Sequence, residues 1–115
     1  MAHATIEVEE LAGGVTKVRL KGRLDVAGAA EVDLRFNTIA GTERAVIVDL
    51  SMVDFLASMG LRTLITGAKV IRGKQGKMVV LSPENHVEKV LVSSGTNLLI
   101  PILHDEQAAI AAVSH

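Results

Sequence analysis

The sequence contains no cysteine, no tryptophan and no tyrosine. The absence of cysteine excludes disulfide bonds, thiolate metal sites and a thiol nucleophile, and it is compatible with the cytoplasm. Only Phe36 and Phe55 are aromatic, although 49% of the 115 residues are hydrophobic. The core of the protein must therefore be packed almost entirely with aliphatic side chains.

The sequence also lacks an excess of one charge and any long apolar run. With 12 basic and 13 acidic side chains the formal net charge is −1, so no overall field would attract nucleic acid or an anionic membrane surface. No apolar run approaches the roughly 20 residues of a membrane-spanning helix, and residues 1–10 lack the features of a signal peptide. We therefore expect a soluble cytoplasmic protein that binds neither nucleic acid nor membrane directly.

Motifs for catalysis and for metal binding are missing as well. Segment 67–74 resembles a phosphate-binding loop, but it is one residue too long, lacks the following Ser or Thr and ends a predicted helix. Asp49 at a strand end and Asp54 in a predicted loop do not indicate a catalytic carboxylate pair. We therefore expect that the protein is not an enzyme and has no catalytic residue, metal or cofactor. The alternative of a small nucleotide-binding protein is disfavoured. The four histidines are scattered without metal-ligand spacing: His3, His86, His104 and His115.

Hydrophobic periodicity predicts a β-hairpin and then a helix. Residues 5–9 and 16–20 alternate apolar and polar side chains with period two, on either side of Gly13-Gly14. From Asp25 onward the apolar residues recur with helical spacing. Asp25 is the expected N-cap of this helix and Gly41 its expected end.

Strands and helices alternate in the rest of the chain. The run Ala45–Leu50 is apolar on both faces, as in a central strand that helices cover on both sides. A helix with one apolar face is predicted to start near Ser58. Further strands are predicted over 78–81 and 98–103, and further helices capped by Ser82 and Asp105.

The predicted order of elements is ββαβαβαβα. Alternating helices and strands after the hairpin indicate right-handed crossovers, with the helices packed on a largely parallel sheet. The sequence thus predicts one α/β domain over residues 1–115, with a mixed, mostly parallel sheet.

One segment resembles a known signature. Residues 49–61 read Asp-Leu-Ser-Met-Val-Asp-Phe-Leu-Ala-Ser-Met-Gly-Leu. They resemble anti-sigma factor antagonists of the STAS family, in which a central strand ends in Asp-Leu-Ser and a phosphorylatable serine opens the next helix before x-Gly-Leu. Residues 22–25, Gly-Arg-Leu-Asp, are similar to the Gly-x-Leu-Asp of that family. Because the order of elements also agrees, the resemblance implies a STAS fold over essentially the whole chain.

The resemblance also implies a function in transcription regulation. The unphosphorylated protein would bind an anti-sigma factor of the serine-kinase type and thereby release a sigma factor. Phosphorylation of Ser58 would dissociate this complex, and a serine phosphatase would restore binding. The partner-binding residues that the resemblance implies are Asp25, at the start of the preceding helix, and six residues at the start and along the helix that Ser58 opens: Ala57, Ser58, Met59, Arg62, Thr66 and Lys69.

Two simpler interpretations of this segment stay open at this point. Ser58 at a helix start is an ordinary N-cap residue, and the basic side chains of the helix could form a solvated face. Many members of the family have Asp before the serine, whereas this chain has Ala57. This difference favours an alternative function as a constitutive STAS scaffold, or as an accessory subunit of a stress-signalling complex or transporter, without phosphorylation.

Overall fold

A computed structural model describes residues 3–114 and contains one five-stranded sheet with helices on both faces. Its first strand is antiparallel to the second, and the remaining neighbours are parallel. The mixed, mostly parallel α/β sheet predicted from the sequence is therefore confirmed. The strands, in their spatial order, are β1 (Ala4–Leu11), β2 (Val15–Leu24), β3 (Ala45–Leu56), β4 (Lys77–Leu81) and β5 (Ile102–Leu103). The helices are α1 (Val26–Thr42), α2 (Ser58–Gly73), α3 (Asn85–Ser93) and α4 (Glu106–Val113).

The hairpin between β1 and β2 closes as the sequence predicts. A 3₁₀ turn over Ala12–Gly14 connects the strands, and Gly13 and Gly14 have φ angles of 80° and 78°. These left-handed conformations favour glycine because side chains with a Cβ clash there. The strands are then held in a register that places Val8 opposite Val18.

The sheet separates two cores. Helices α1, α2 and α3 pack on one face, where Phe36, Leu64 and Leu91 are among the buried side chains. This arrangement follows from the strand order, because successive right-handed crossovers in one direction place their helices on the same side. Helix α4 packs on the other face through Ala109 and Val113.

Two elements continue beyond their predicted ends. Helix α1 does not stop at Gly41 but continues to Thr42, and the N–H of Glu43 donates to Ile39 O at 2.8 Å. Strand β3 continues from the predicted Ala45–Leu50 to Leu56, so Asp54 lies in a strand and not in a loop. Ser51, Met52 and Asp54 are exposed, which interrupts the apolar run on which the prediction rests.

The start of α3 also differs from the prediction. Ser82 is not its N-cap, because the helix begins at Asn85 with Glu84 in the cap position. The N–H of Ser82 donates to Leu103 O at 2.8 Å, which keeps this residue attached to the neighbouring strand with a φ of 51°.

The last strand is shorter than predicted, whereas the cap of the last helix is confirmed. Residues 96–98 form a 3₁₀ turn, so the predicted strand over 98–103 is reduced to Ile102–Leu103. Pro101 has no N–H to donate to a ladder, which limits pairing here. Asp105 caps α4, since its carboxylate accepts the N–H of Ala108 at 2.9 Å.

Candidate functional site

Two of the predicted partner-binding residues, Asp25 and Ser58, lie at the same edge of the sheet. Leu24 at the end of β2 lies opposite Leu56 at the end of β3, and the N–H of Ala57 donates to Leu24 O at 3.0 Å. Because these strands are parallel, α1 begins after Asp25 beside the start of α2 at Ser58. In α/β sheets this carboxyl edge is where binding sites commonly form.

Two bulges in β3 lead the chain to this edge. Arg19 is paired with Asp49 but Lys21 with Met52, so β3 contains one more residue than β2 over this stretch. A second register shift follows just before Phe55. Each extra residue bends the strand and increases its twist, which changes the direction of the segment ahead of α2.

The carboxylate of Asp49 supports the first bulge. Its Oδ1 accepts the N–H of Ser51 at 2.9 Å, and its Oδ2 lies 3.1 Å from Nε of Arg19 and 3.8 Å from Nζ of Lys17. Asp49 is only 4% exposed. Burial alone would raise its pKa, but the hydrogen bonds from Ser51 and Arg19 outweigh burial and hold the pKa below its ordinary value of 3.8. The Asp-Leu-Ser motif therefore has a structural role beside the site.

Asp25 is the N-cap of α1, as predicted. Its Oδ1 accepts the N–H of Gly28 at 2.8 Å, and this hydrogen bond lowers the pKa of the carboxyl group. Gly28 is needed for this geometry, because a Cβ at that position would lie 1.7 Å from Arg23 O. The cap thus fixes Asp25 at the edge of the sheet.

Arg23 and Phe55 complete this edge, although the sequence did not indicate them. The guanidinium of Arg23 lies 4.3 Å from the centre of the Phe55 ring, within the range of a cation–π contact. Its Nε is 3.5 Å from Oδ2 of Asp25. The pair forms because the bulged register of β3 brings Arg23 opposite Phe55, and spacing along the chain does not reveal such a register.

Ser58 is the first residue of α2 and its side chain is exposed. The cap position belongs to Ala57, which has no side-chain acceptor, so the interpretation of Ser58 as an N-cap is wrong. The N–H of Leu61 donates to Ala57 O at 3.0 Å, and the three N–H groups before it have no residue four positions back within the helix. The hydroxyl of Ser58 therefore lies at an uncapped, positive helix end.

The remaining predicted partner-binding residues follow along one exposed face of α2. Met59 is 40% exposed, and Arg62, Thr66 and Lys69 are exposed as well. Within residues 3–114 none of the basic side chains of α2 belongs to an ion pair. The face is therefore accessible and carries uncompensated positive charge.

A groove lies beside this face, between α1 and α2, and has a volume of about 410 Å³. Ala29 and Ala30 line it on α1, while Met59, Arg62 and Thr66 line it on α2. The groove starts next to the exposed end of α2 and was not predicted, because it depends on how two helices pack.

The floor of this groove is fixed by contacts between the two helices. The hydroxyl of Thr63 donates to Oδ1 of Asp33 at 3.1 Å. Gly67 packs on the ring of Phe36, where a Cβ would come within 2.4 Å of Cε2. These contacts hold α1 and α2 close together along the groove.

Neither a metal cluster nor a membrane span is found in the part of the chain that the structure describes. No three side chains of His, Asp or Glu lie close enough there to hold a metal ion. No helix among these residues is both long enough and apolar enough to cross a bilayer. His115, one of the four histidines considered from the sequence, lies outside the described residues.

Known proteins resemble this chain in sequence. BtrV of Bordetella bronchiseptica, a proposed anti-sigma factor antagonist, is 32% identical over 94 residues, which are 81% of each chain. An anti-sigma factor antagonist from Mycobacterium paratuberculosis is 26% identical in its crystal structure, with a TM-score of 0.80 over 96% of this chain and 93% of that chain.

The fold is shared more widely, and a family model covers most of the sequence. The Bacillus cell fate determinant SpoIIAA in its phosphorylated form has a TM-score of 0.70 at 20% identity, over 90% of this chain and 96% of that chain. The model of the STAS domain matches residues 6–109. On the strength of this match and of the shared fold, the chain belongs to the STAS domain family.

Proposed function

We propose that this protein is an anti-sigma factor antagonist that regulates transcription in the cytoplasm by exchanging partners, without catalysing a reaction. In its unphosphorylated form it binds an anti-sigma factor of the serine-kinase type. Phosphorylation of Ser58 ends this binding, and a serine phosphatase restores it. The observation that carries the proposal is the exposure of Ser58 at the uncapped start of α2, beside an exposed basic face. The similarity to BtrV, a proposed anti-sigma factor antagonist, and to SpoIIAA, which has a phosphorylated form, supports it.

The start of α2 can accommodate a phosphoryl group without disturbing the fold. A phosphoserine carries about −1.5 to −2 charges and three acceptor oxygens. At position 58 these oxygens would lie near the free N–H groups of the first turn, where the helix dipole favours negative charge. The side chain of Ala57 has no hydrogen-bond acceptor that would compete for these N–H groups. Arg62, one turn later on the exposed face, is a second group that the phosphate could meet.

The same charge opposes binding of a partner that covers this helix end. A phosphate at an interface must lose its water, and an unpaired buried charge costs several kcal/mol. Each loss of about 1.4 kcal/mol lowers affinity about tenfold. One modified serine is therefore sufficient to separate the bound and free states.

Ala57 favours a second candidate function, a constitutive STAS scaffold. A kinase that requires an acidic residue directly before the serine would not recognise this site. The protein would then hold its partner irrespective of phosphorylation, and the exposed face of α2 would serve permanent assembly. The two functions differ in whether negative charge at position 58 changes binding.

The first experiment tests the modification itself. The full chain is incubated with ATP, Mg²⁺ and purified anti-sigma factors of the serine-kinase type from the same genome, and its intact mass is measured. One added phosphate is expected on the wild type and on Ser51→Ala, and none on Ser58→Ala. Ser51 is a suitable control because it is also exposed and precedes the same helix. Phosphate on the Ser58→Ala variant would show that the site is assigned wrongly.

The second experiment measures binding by calorimetric titration against the same anti-sigma factors. Tight binding of the unphosphorylated protein and weak binding of the phosphorylated protein support the switch. Equal affinity of both forms would instead support the scaffold. Absence of binding to every anti-sigma factor of this type would refute the antagonist function.

A further inference from the structure

We infer that the groove between α1 and α2 receives a helix of the partner, and that this helix is apolar toward the groove and acidic where it faces α2. This inference rests on the proposed function, because the partner is the anti-sigma factor bound by the unphosphorylated protein. It extends the interface from the exposed face of α2 to the surface of α1.

Exposed apolar side chains lie on both helices that form this groove. Of the seven large apolar side chains that are exposed among residues 3–114, four lie on α1 or α2. Val26 is 68% exposed and Met59 40% exposed, and both line the groove. Leu34, which is 81% exposed, lies on α1 one turn after the groove-lining Ala30. Exposed apolar residues that share one concave surface are typical of docking sites.

The shape of the groove fits a helix. Its α1 wall extends from Val26 to Asn37, which is about 16 Å or three helical turns. An amphipathic helix places anchors at positions i, i+3 or i+4, and i+7 along such a length. Ala29 and Ala30 are small and leave room for the anchoring side chains. Because contacts within the protein already fix the floor, binding requires little ordering of the groove.

Charge determines which helix fits. Helix α2 contains three basic residues and no acidic residue: Arg62, Lys69 and Arg72. The two acidic residues of α1 accept hydrogen bonds from uncharged groups of the protein, so their negative charge belongs to the α1 side. Asp33 accepts hydrogen bonds from Thr63 at 3.1 Å and from Asn37 at 3.2 Å, and Glu31 accepts the backbone N–H of Ala4 at 3.1 Å. The α2 side of the groove thus favours acidic residues on the partner.

The test introduces charges on both walls of the groove. Ala30 is exposed on the α1 wall, Thr66 is exposed on the α2 wall, and Ala111 is exposed on α4 at the other face of the sheet. Ala30→Glu, Thr66→Glu, Thr66→Lys and Ala111→Glu are titrated against the anti-sigma factor that binds the wild type. Ala30→Glu and Thr66→Glu are each expected to weaken binding at least about tenfold, and Thr66→Lys clearly less, while Ala111→Glu binds as the wild type. Circular dichroism and thermal unfolding verify that all four variants are folded.

The outcomes separate this inference from the proposed function. If the wild type binds and Ser58→Asp does not, but Ala30→Glu binds as the wild type, the groove is empty in the complex and only this inference fails. If Thr66→Lys weakens binding as much as Thr66→Glu, the acidic character of the partner helix where it faces α2 is refuted. If the wild type binds no anti-sigma factor, both the proposed function and this inference fail.

Discussion

The carboxylate of Asp49 and the backbone N–H of Ser51 are joined by a hydrogen bond of 2.9 Å across a bulge in β3. This contact explains in physical terms why Asp precedes Leu-Ser in the segment that leads to the site. The bulge leaves an N–H without a partner in the ladder, and the buried carboxylate accepts it while Arg19 and Lys17 balance the charge. The geometry ahead of α2 therefore depends on an ionised side chain.

Asp49→Ala is expected to lower the free energy of unfolding by about 1–3 kcal/mol near neutral pH, because it leaves partly buried donors without their acceptor. The pKa of Asp49 in the folded protein lies below its ordinary value of 3.8. Its contribution to stability is thus present above about pH 4 and is lost as the pH falls through the folded pKa. Urea unfolding at several pH values should show the difference between variant and wild type decreasing below pH 4. An exposed control on the same strand, Asp54→Asn, is expected to change stability by less than about 0.5 kcal/mol.

Ala57→Asp is expected to stabilise the protein by about 0.5–2 kcal/mol, because an aspartate at the N-cap would accept an N–H from the first turn of α2. Ala57→Asn tests the hydrogen bond without the charge and should retain most of the gain. Ser58→Ala should change stability by less than about 0.5 kcal/mol, since Ser58 is not the cap. Thermal unfolding of the three variants measures these effects. An unfolding temperature of Ala57→Asp equal to that of the wild type would contradict the cap geometry described here.

Gly67→Ala is expected to destabilise the protein by about 1–3 kcal/mol, because the new methyl group would overlap the Phe36 ring and push α2 away from α1. Gly41→Ala is the matched control: it lies in α1 with no atom within 4 Å of the added Cβ. This control should stabilise the helix by about 0.4–1 kcal/mol. Chemical denaturation gives both values, and equal effects at the two positions would show that the helices do not pack as closely as described.

Features encoded within a single element could be predicted from the sequence. The Gly13-Gly14 turn, the Asp25 cap and the exposed face of α2 each follow from a local pattern, and each is confirmed. Local hydrogen bonds and side-chain periodicity act over a few residues, so the sequence displays them directly.

Contacts that depend on the exact register or packing of two elements could not be predicted. The contact of Arg23 with Phe55 requires the bulged register of β3, and the groove depends on how α1 and α2 pack. The N-cap of α2 could not be predicted for the same reason. Serine is the commoner cap residue, but the backbone enters the helix one residue earlier, at Ala57, after the second bulge.

Met59→Asp and Arg62→Glu should each weaken binding of the anti-sigma factor at least about tenfold while leaving thermal unfolding nearly unchanged. Both side chains are exposed on α2 beside Ser58, so their substitution affects a partner more than the core. Val92→Asp on α3 is the control, because Val92 is 50% exposed and lies outside the proposed interface. Unaltered affinity in both α2 variants would move the interface to another surface.

Ser58→Asp should fold normally but lose its partner. In the isolated domain, a carboxylate at the start of α2 meets the positive end of the helix dipole, so the variant should unfold at or slightly above the wild-type temperature, with a gain of about 0.3–1 kcal/mol.

In the complex the same carboxylate must be desolvated, and the affinity should fall by a few kcal/mol unless a basic group of the partner meets it. Ser58→Ala carries no charge and should bind as the wild type, while remaining insensitive to the kinase. Calorimetric titration of the three proteins against one anti-sigma factor compares them directly. If Ser58→Asp binds as tightly as the wild type, negative charge at position 58 does not control the interaction, and a permanent scaffold function accounts better for the exposed face of α2.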